Sequence, residues 1–427
     1  MILQVSSNTS LYLSSVPCIN NRMKKLDNVL KENPYLRECK DTIFTVIVRN
    51  TLHDSLDHDK IKSKSFIHGL LSYTTWSKNT DLFQYLTPDA LQKLKNKDYF
   101  FVFDASTEGF DPVREMPFFD LLYFNCEKYG VSPSQIIYTS ANLADETNIE
   151  KYVARTKKEP IHVFSFPSFE QVLSIDGRMN RQILEHHFQT AHHNCAMEHR
   201  DKMYSSLSRV NRYYRTMAQF LLSRSDVNHW GLISHDKVHP NLLRRIKEEP
   251  HLHDIPEEDY EAWLNRLPMI VDNNDFNRNW ALDTPYRHIH DQTLFQIVNE
   301  TSVSYDSGSV MFFSEKTFRP VAYFQPFLIY GNPGANRHLR KLGYYTYEDW
   351  FEDMSFDDEI DPVIRYRKLL EVVRNTCHKL DKMNTRERVE WRFKRTDILK
   401  HNFETMVRSD HTMAKIKQFL TDLDNKL

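Results

Sequence analysis

Short runs of apolar, β-branched and aromatic residues alternate along this chain with longer polar stretches, and that alternation predicts its elements. Ile43–Val48 (IFTVIV), Tyr99–Phe103 (YFFVF), Gln135–Thr139 (QIIYT) and Ile161–Phe166 (IHVFSF) have the length and composition of buried strands. Tyr204–Leu207, Trp230–Ser234, Met269–Val271 and Phe327–Tyr330 form a second, weaker series. The polar segments between them suit helices, so the pattern predicts an α/β fold of parallel sheets with helices on both faces. The polar, His-rich stretch Leu184–Lys202 falls between the two series and is the natural boundary, giving two lobes, 1–195 and 196–395. From Pro362 the pattern turns helical, with Ile364, Leu369, Leu370 and Val373 and later Ile398, Leu399, Phe403 and Met406 at apolar positions. Residues 396–427 are expected to form a C-terminal helix that packs back on the first lobe.

Composition narrows the chemistry. A chain of 427 residues, 40% hydrophobic and 27% charged, is long enough for two domains and apolar enough to build their cores. Only nine residues are glycine, and none forms a GxG or GxxxxGK pattern, which excludes a glycine-cradled dinucleotide site or P-loop. Lys and Arg number 56 against 58 Asp and Glu, so no global basic field recruits nucleic acid, while a local basic face stays open. The five cysteines, Cys18, Cys39, Cys126, Cys195 and Cys377, are odd in number and lack CxxC spacing, as in a reduced cytosolic protein. No run approaches the roughly 18 apolar residues of a membrane span. The N-terminus lacks the basic lead and long apolar stretch of a signal peptide, so a soluble cytoplasmic protein with no membrane partner is expected.

The most specific segment is Phe313-Ser-Glu-Lys-Thr-Phe-Arg-Pro320, followed by the buried-looking FLIYGNPG of Phe327–Gly334. Ser314 directly before Glu315 and Lys316 can cap a helix whose free N–H groups and dipole favour an anion, and Lys316 and Arg319 add positive charge there. A carboxylate such as Glu315 can accept both hydroxyls of a ribose, so the combination suits a nucleotide sugar. Pro320 predicts a short or kinked helix. As plain structure, the same letters are a surface helix start with a Glu315–Arg319 pair worth a few tenths of a kcal/mol.

SEKTFRP with the PFLIYGNPG turn resembles the signature of glycosyltransferases carried by tailed bacteriophages, and is similar to the Thr-Glu-Lys segment of α-1,3-fucosyltransferases. Ser206–Thr216 (SLSRVNRYYRT), Val298–Thr301 (VNET), Lys341–Trp350 (KLGYYTYEDW) and Lys400–Phe403 (KHNF) extend the resemblance over about half the chain. Val102–Gly109 (VFDASTEG) and Ile137–Asn142 (IYTSAN) match more loosely. The resemblance implies the two-lobe GT-B architecture, a donor lobe in the C-terminal half, and donor-binding roles for Glu300, Ser314, Glu315, Lys316 and Thr317.

Arg209, Arg212 and Arg215 recur every third residue after the strand candidate Tyr204–Leu207, at the sheet edge where open α/β folds bind ligands. On a helix two of them can face one diphosphate, and guanidinium forks suit phosphate oxygens. A solvated basic helix face is the alternative. Asp104 and Glu108, directly after YFFVF, are the candidate bases for an acceptor hydroxyl. The resemblance points to the same loop, while a turn role for Asp104 or a retaining mechanism would leave them idle. The acidic run Glu348–Asp361 has no strand before it and reads as a solvated loop, not a DxD metal site. His192, Cys195 and His199 share a helix face at metal-ligand spacing but lack a fourth ligand. No metal and no cofactor is predicted beyond the nucleotide diphosphate sugar as co-substrate. Two acceptor classes fit, a hydroxymethylated base of phage DNA or a glycan or small molecule, and a non-catalytic GT-B-like binding module is the non-enzymatic reading. The DNA reading leans on the eight Lys and Arg of Lys379–Lys400, with further bases in Lys151–Lys158 and Lys24–Lys31.

Overall fold

The computed structural model describes residues 65–70, 81–83, 86, 88–106, 109–179, 181–198, 202–208, 210–271, 284–305 and 308–425. The strand candidate Ile43–Val48 lies outside them. The chain groups into two compact units, one of Met1–Ala105, Pro112–Thr139 and Asn148–Phe164, the other of Ser106–Asp111, Ser140–Thr147 and Ser165–Leu427.

The first unit carries a four-stranded sheet of β1 (Ser65–Leu70), β2 (Tyr99–Ala105), β3 (Ile136–Ser140) and β4 (His162–Ser165), in that order. β1 and β2 pair in parallel, with Leu70 opposite Asp104. Phe100 to Phe103 on β2 and every residue of β3 are buried, as their unbroken apolar runs predict for strands covered on both faces. The helix Phe118–Tyr129 buries Phe118, Phe119, Leu122 and Tyr123, and Phe119 meets Tyr138 of β3 edge-on at 5.5 Å. Its Gly130 cap takes the left-handed conformation and ends it.

The second unit holds β5 (Tyr204–Leu207), β6 (Gly231–Ser234), β7 (Phe295–Asn299) and β8 (Phe327–Tyr330), all parallel, in the order β6-β5-β7-β8. β7 and β8 are buried at every residue, which requires cover on both faces. The helix Tyr213–Arg224 buries Met217, Phe220 and Leu221 and packs on the long helix Pro362–Asp381, which buries Val363, Tyr366, Leu369 and Val373. Asp361 caps the long helix through the N–H groups of Val363 and Ile364. Met269 forms only an isolated antiparallel bridge with His235, where a strand was expected.

The His-rich stretch expected at the boundary between the lobes forms most of the helix Arg181–Glu198, and it lies within the second unit. It buries Ala191 and Cys195 and packs on the helices Thr284–Gln292 and Thr385–Phe393. That face, at i and i+4, makes a polar composition helical rather than linking. Residues 165–195, placed in the first lobe by sequence, therefore cluster with the second unit. The C-terminal helices Thr396–Arg408 and Asp410–Asn425 join the helix Ser168–Met179: Ser174 Oγ donates to Val407 O at 2.8 Å, and buried Glu170 accepts from Tyr344 Oη and Thr412 Oγ1. Asn402 of KHNF pins the YYTY segment by bonding both backbone groups of Tyr345.

Candidate anion-binding site

From β5 the second sheet extends to β6 on one side and to β7 and β8 on the other, so its strand order reverses between β5 and β7. The C-terminal ends of parallel strands at such a reversal are where open α/β sheets carry ligands. β5 runs out into Ser208, and β7 into Glu300 and Thr301. The donor-site candidates that can be placed converge on these ends.

Glu300 is fully buried, and its carboxylate accepts from four groups: Ser314 N–H (3.1 Å), Ser314 Oγ (2.7 Å), Thr317 Oγ1 (2.5 Å) and Thr301 N–H (3.0 Å). Glu300 and Thr317 therefore spend their polar groups on seating the start of the helix Glu315–Ala322 against β7. Gly331, just past β8, leaves the necessary room, since a Cβ there would stand 3.2 Å from Glu300 Cβ. Further back, the chain entering Ser314 is braced by the loosely matching motifs. Asn142 accepts from Met311 N–H and donates to Ser309 O, and a Cβ on Gly109 would collide with Phe312 at 2.3 Å.

Ser314 is the N-cap of this helix, with extended backbone and its Oγ accepting from Lys316 N–H at 3.4 Å. Pro320 sits inside, and the helix ends after eight residues. Lys316 Nζ reaches Glu315 Oε1 at 2.6 Å, Ser314 Oγ at 3.3 Å and Thr301 Oγ1 at 3.4 Å. Burial raises the Glu315 carboxyl pKa, but Lys316 and Arg319 outweigh it and hold the group down at about 2, so it is ionised.

Arg215 is the third residue of the helix Tyr213–Arg224 and only 4% exposed. Its Nε donates to Ser208 Oγ at 3.0 Å, and among the described residues no carboxylate pairs with its guanidinium. Burial and the charge of Arg212 pull its pKa down to about 10, against the opposing influence of Glu315 and Glu300. Arg212, exposed, donates from Nη1 to Thr301 O at 3.3 Å. The arginine row does not lie on one helix as expected, because the helix starts at Tyr213 and Arg212 is its extended N-cap. Arg209 lies outside the described residues.

Among the described residues, the cations Arg212, Arg215, Lys316 and Arg319 outnumber the carboxylates Glu300 and Glu315 here. Two helix N-termini, those of Tyr213–Arg224 and Glu315–Ala322, add positive ends to the same strand edge. A buried guanidinium without an anionic partner is costly, and the chemistry of the arrangement suits an anion.

Asp104 is the penultimate residue of β2 in the first unit, and Glu108 lies outside the described residues. The acidic run is dispersed: Glu348 pairs with Arg340, Asp349 with Arg395, Glu352 with Lys379 and Glu359 with Lys368. Asp357 is buried and accepts Asn336 N–H at 3.0 Å, and burial pushes its carboxyl up to about 7. Cys195 is buried, His192 stands against the Phe393 ring, and His199 lies outside the described residues. No group of three or more His, Cys, Asp or Glu among the described residues is placed to hold a metal ion. None of the described helices is long and apolar enough to cross a membrane.

No protein-family model matches this chain, and no curated protein matches it. Among solved structures, an α,α-trehalose-phosphate synthase (UDP-forming) from Burkholderia vietnamiensis aligns at 11% identity and a TM-score of 0.39, covering 89% of this chain and 76% of that one. The likeness is too distant to assign a family.

Sequence reasoning missed Ser208 and Thr301, whose hydrogen bonds hold Arg215, Arg212 and Lys316. Both directly or closely follow a strand, and that position at a sheet's C-terminal edge is the signal that could have found them.

Proposed function

We propose that this chain is a glycosyltransferase that moves a sugar from a nucleotide diphosphate sugar to an acceptor hydroxyl. The carrying observation is the buried Arg215, anchored through Nε alone, beside a cationic helix start at the strand-order reversal. On this reading the fold is GT-B-like and the second unit is the donor lobe.

Transfer breaks the bond between the anomeric carbon and the diphosphate oxygen, and negative charge builds on the departing diphosphate. Arg215 offers Nη1 and Nη2 to that charge, and Lys316 exchanges its long bonds to Ser314 and Thr301 for phosphate oxygens. Glu315 keeps Oε1 on Lys316 and presents Oε2 to a ribose hydroxyl. Arg212 and Arg209 contribute to the same field. Glu300 and Thr317 act by fixing Ser314 and the helix start. Asp104 or Glu108 takes the proton of the acceptor hydroxyl if the reaction inverts.

A glycan or small-molecule acceptor is favoured over duplex DNA. In Lys379–Lys400, Lys379, Arg386, Arg388 and Arg395 are each paired with a carboxylate, and Arg392 is buried on backbone carbonyls. Of the eight cations in that stretch, Lys382, Lys394 and Lys400 are exposed without a carboxylate partner among the described residues, a smaller free charge than the letters suggest for a phosphate backbone.

A thermal-shift panel of UDP, GDP, CMP and their sugars tests the reading. A nucleotide at a hundred times its Kd adds about 2.7 kcal/mol of stability, so one diphosphate nucleotide should raise Tm by several degrees. No shift with any of them would contradict the proposal. Hydrolysis of the sugar donor then separates an enzyme from a binding module.

A further inference from the structure

We infer that His235 is a positioning residue for Arg215, acting through Ser208, on the reading that Arg215 holds the donor diphosphate. His235 immediately follows β6 and is completely buried. Its Nδ1 stands 2.5 Å from Ser208 O. A carbonyl only accepts, so Nδ1 carries the proton and the tautomer is fixed. Ser208 is thereby clamped from three sides: its N–H donates to Ser234 O at 2.9 Å, its carbonyl accepts from His235, and its Oγ accepts from Arg215 Nε.

The clamp is itself held. The His235 backbone exchanges both hydrogen bonds with Met269, at 2.8 and 2.9 Å, and its ring lies nearly parallel to the Trp263 indole, 5.8 Å away. Nε2 is buried with no hydrogen-bond partner, which suits a neutral ring. Burial holds the imidazolium pKa below its usual range; the Ser208 bond opposes this, the Arg215 charge reinforces it, and Asp236 opposes it. A neutral donor beside a buried arginine orients without repelling, which neither Lys nor Arg at position 235 could do. With Nε tied to Ser208, the two Nη groups of Arg215 are left for a ligand.

The test uses the full chain and two readouts, exchange of the Arg215 Nε–H followed by NMR and affinity for UDP and GDP by calorimetry. His235→Phe keeps a ring against Trp263 and removes the donor; His235→Leu is the second variant should the first not fold; His235→Asn restores an N–H near the Nδ1 position. The Phe and Leu variants should lose protection of the Arg215 Nε–H and bind nucleotide about tenfold more weakly, with Asn close to wild type. Against an Arg215→Ala background the same His235 changes should have no further effect on affinity. Unchanged Nε–H exchange in a folded Phe or Leu variant, or an affinity loss that persists without Arg215, overturns the inference. If wild-type protein binds neither UDP nor GDP, the donor reading falls, and the Nε–H exchange still decides whether His235 positions Arg215.

Discussion

Arg215 at the edge of the second sheet and the paired cations of Lys379–Lys400 look alike as letters, yet the fold surrounds them differently. Along the C-terminal helices Lys379, Arg386, Arg388 and Arg395 each meet a carboxylate within 4 Å, and buried Arg392 is met by three backbone carbonyls. At the sheet edge Arg215, also buried, has a serine hydroxyl on Nε and, among the described residues, neither a carboxylate nor a carbonyl on its Nη groups. Solvated pairs are worth little, while a desolvated cation without a partner is expensive unless a ligand completes it. On the proposed reading, the free Nη groups of Arg215 are what a ligand completes.

The contrast predicts a graded set of effects. Arg215→Met should weaken UDP or GDP binding the most, by about 3 kcal/mol or more than a hundredfold in calorimetry, while the ligand-free protein unfolds no more easily because an unpaired buried charge has gone. A loss of stability without a loss of affinity would erase the distinction between the two regions. Lys316→Ala should cost less affinity, about 2 kcal/mol, since its N–H donors already have protein partners in the free protein. Asp357 offers a control outside both regions. Its carboxyl is raised to about 7 by burial, so the folded protein binds more protons than the unfolded chain between about pH 4 and 7, and stability should fall as pH rises through that window. Asp357→Asn should flatten that slope and add about 1–3 kcal/mol at pH 8 in chemical denaturation. Arg386→Ala, breaking a helix-surface pair with Glu390, should change stability by less than about 0.5 kcal/mol and nucleotide affinity not at all.

Much of the fold was legible because buried parallel strands need continuous apolar runs, as YFFVF, QIIYT and FLIY show. β1, SFIHGL, was missed because a serine, histidine and glycine break its run, and β7, FQIVN, carries a buried glutamine and was noticed only at its VNET end. The His-rich stretch was readable as a helix from the spacing of His192, Cys195 and His199, but its packing on the helices Thr284–Gln292 and Thr385–Phe393 was not, because those partners are distant in sequence. Ser314, Glu315 and Lys316 were readable as a capped helix start because capping is local in sequence. The Ser208–Arg215 bond and the Glu300–Ser314 bonds were not, because they join strand ends to the helix starts beyond them, and spacing along the chain carries no record of which end faces which.

The position of a bound diphosphate tests the central claim most directly. In a structure of the protein soaked with UDP or GDP, the account predicts a phosphate oxygen within hydrogen-bond distance of the Arg215 guanidinium and beside the start of the Glu315 helix. A nucleotide bound elsewhere, with Arg215 still facing only Ser208, would contradict it.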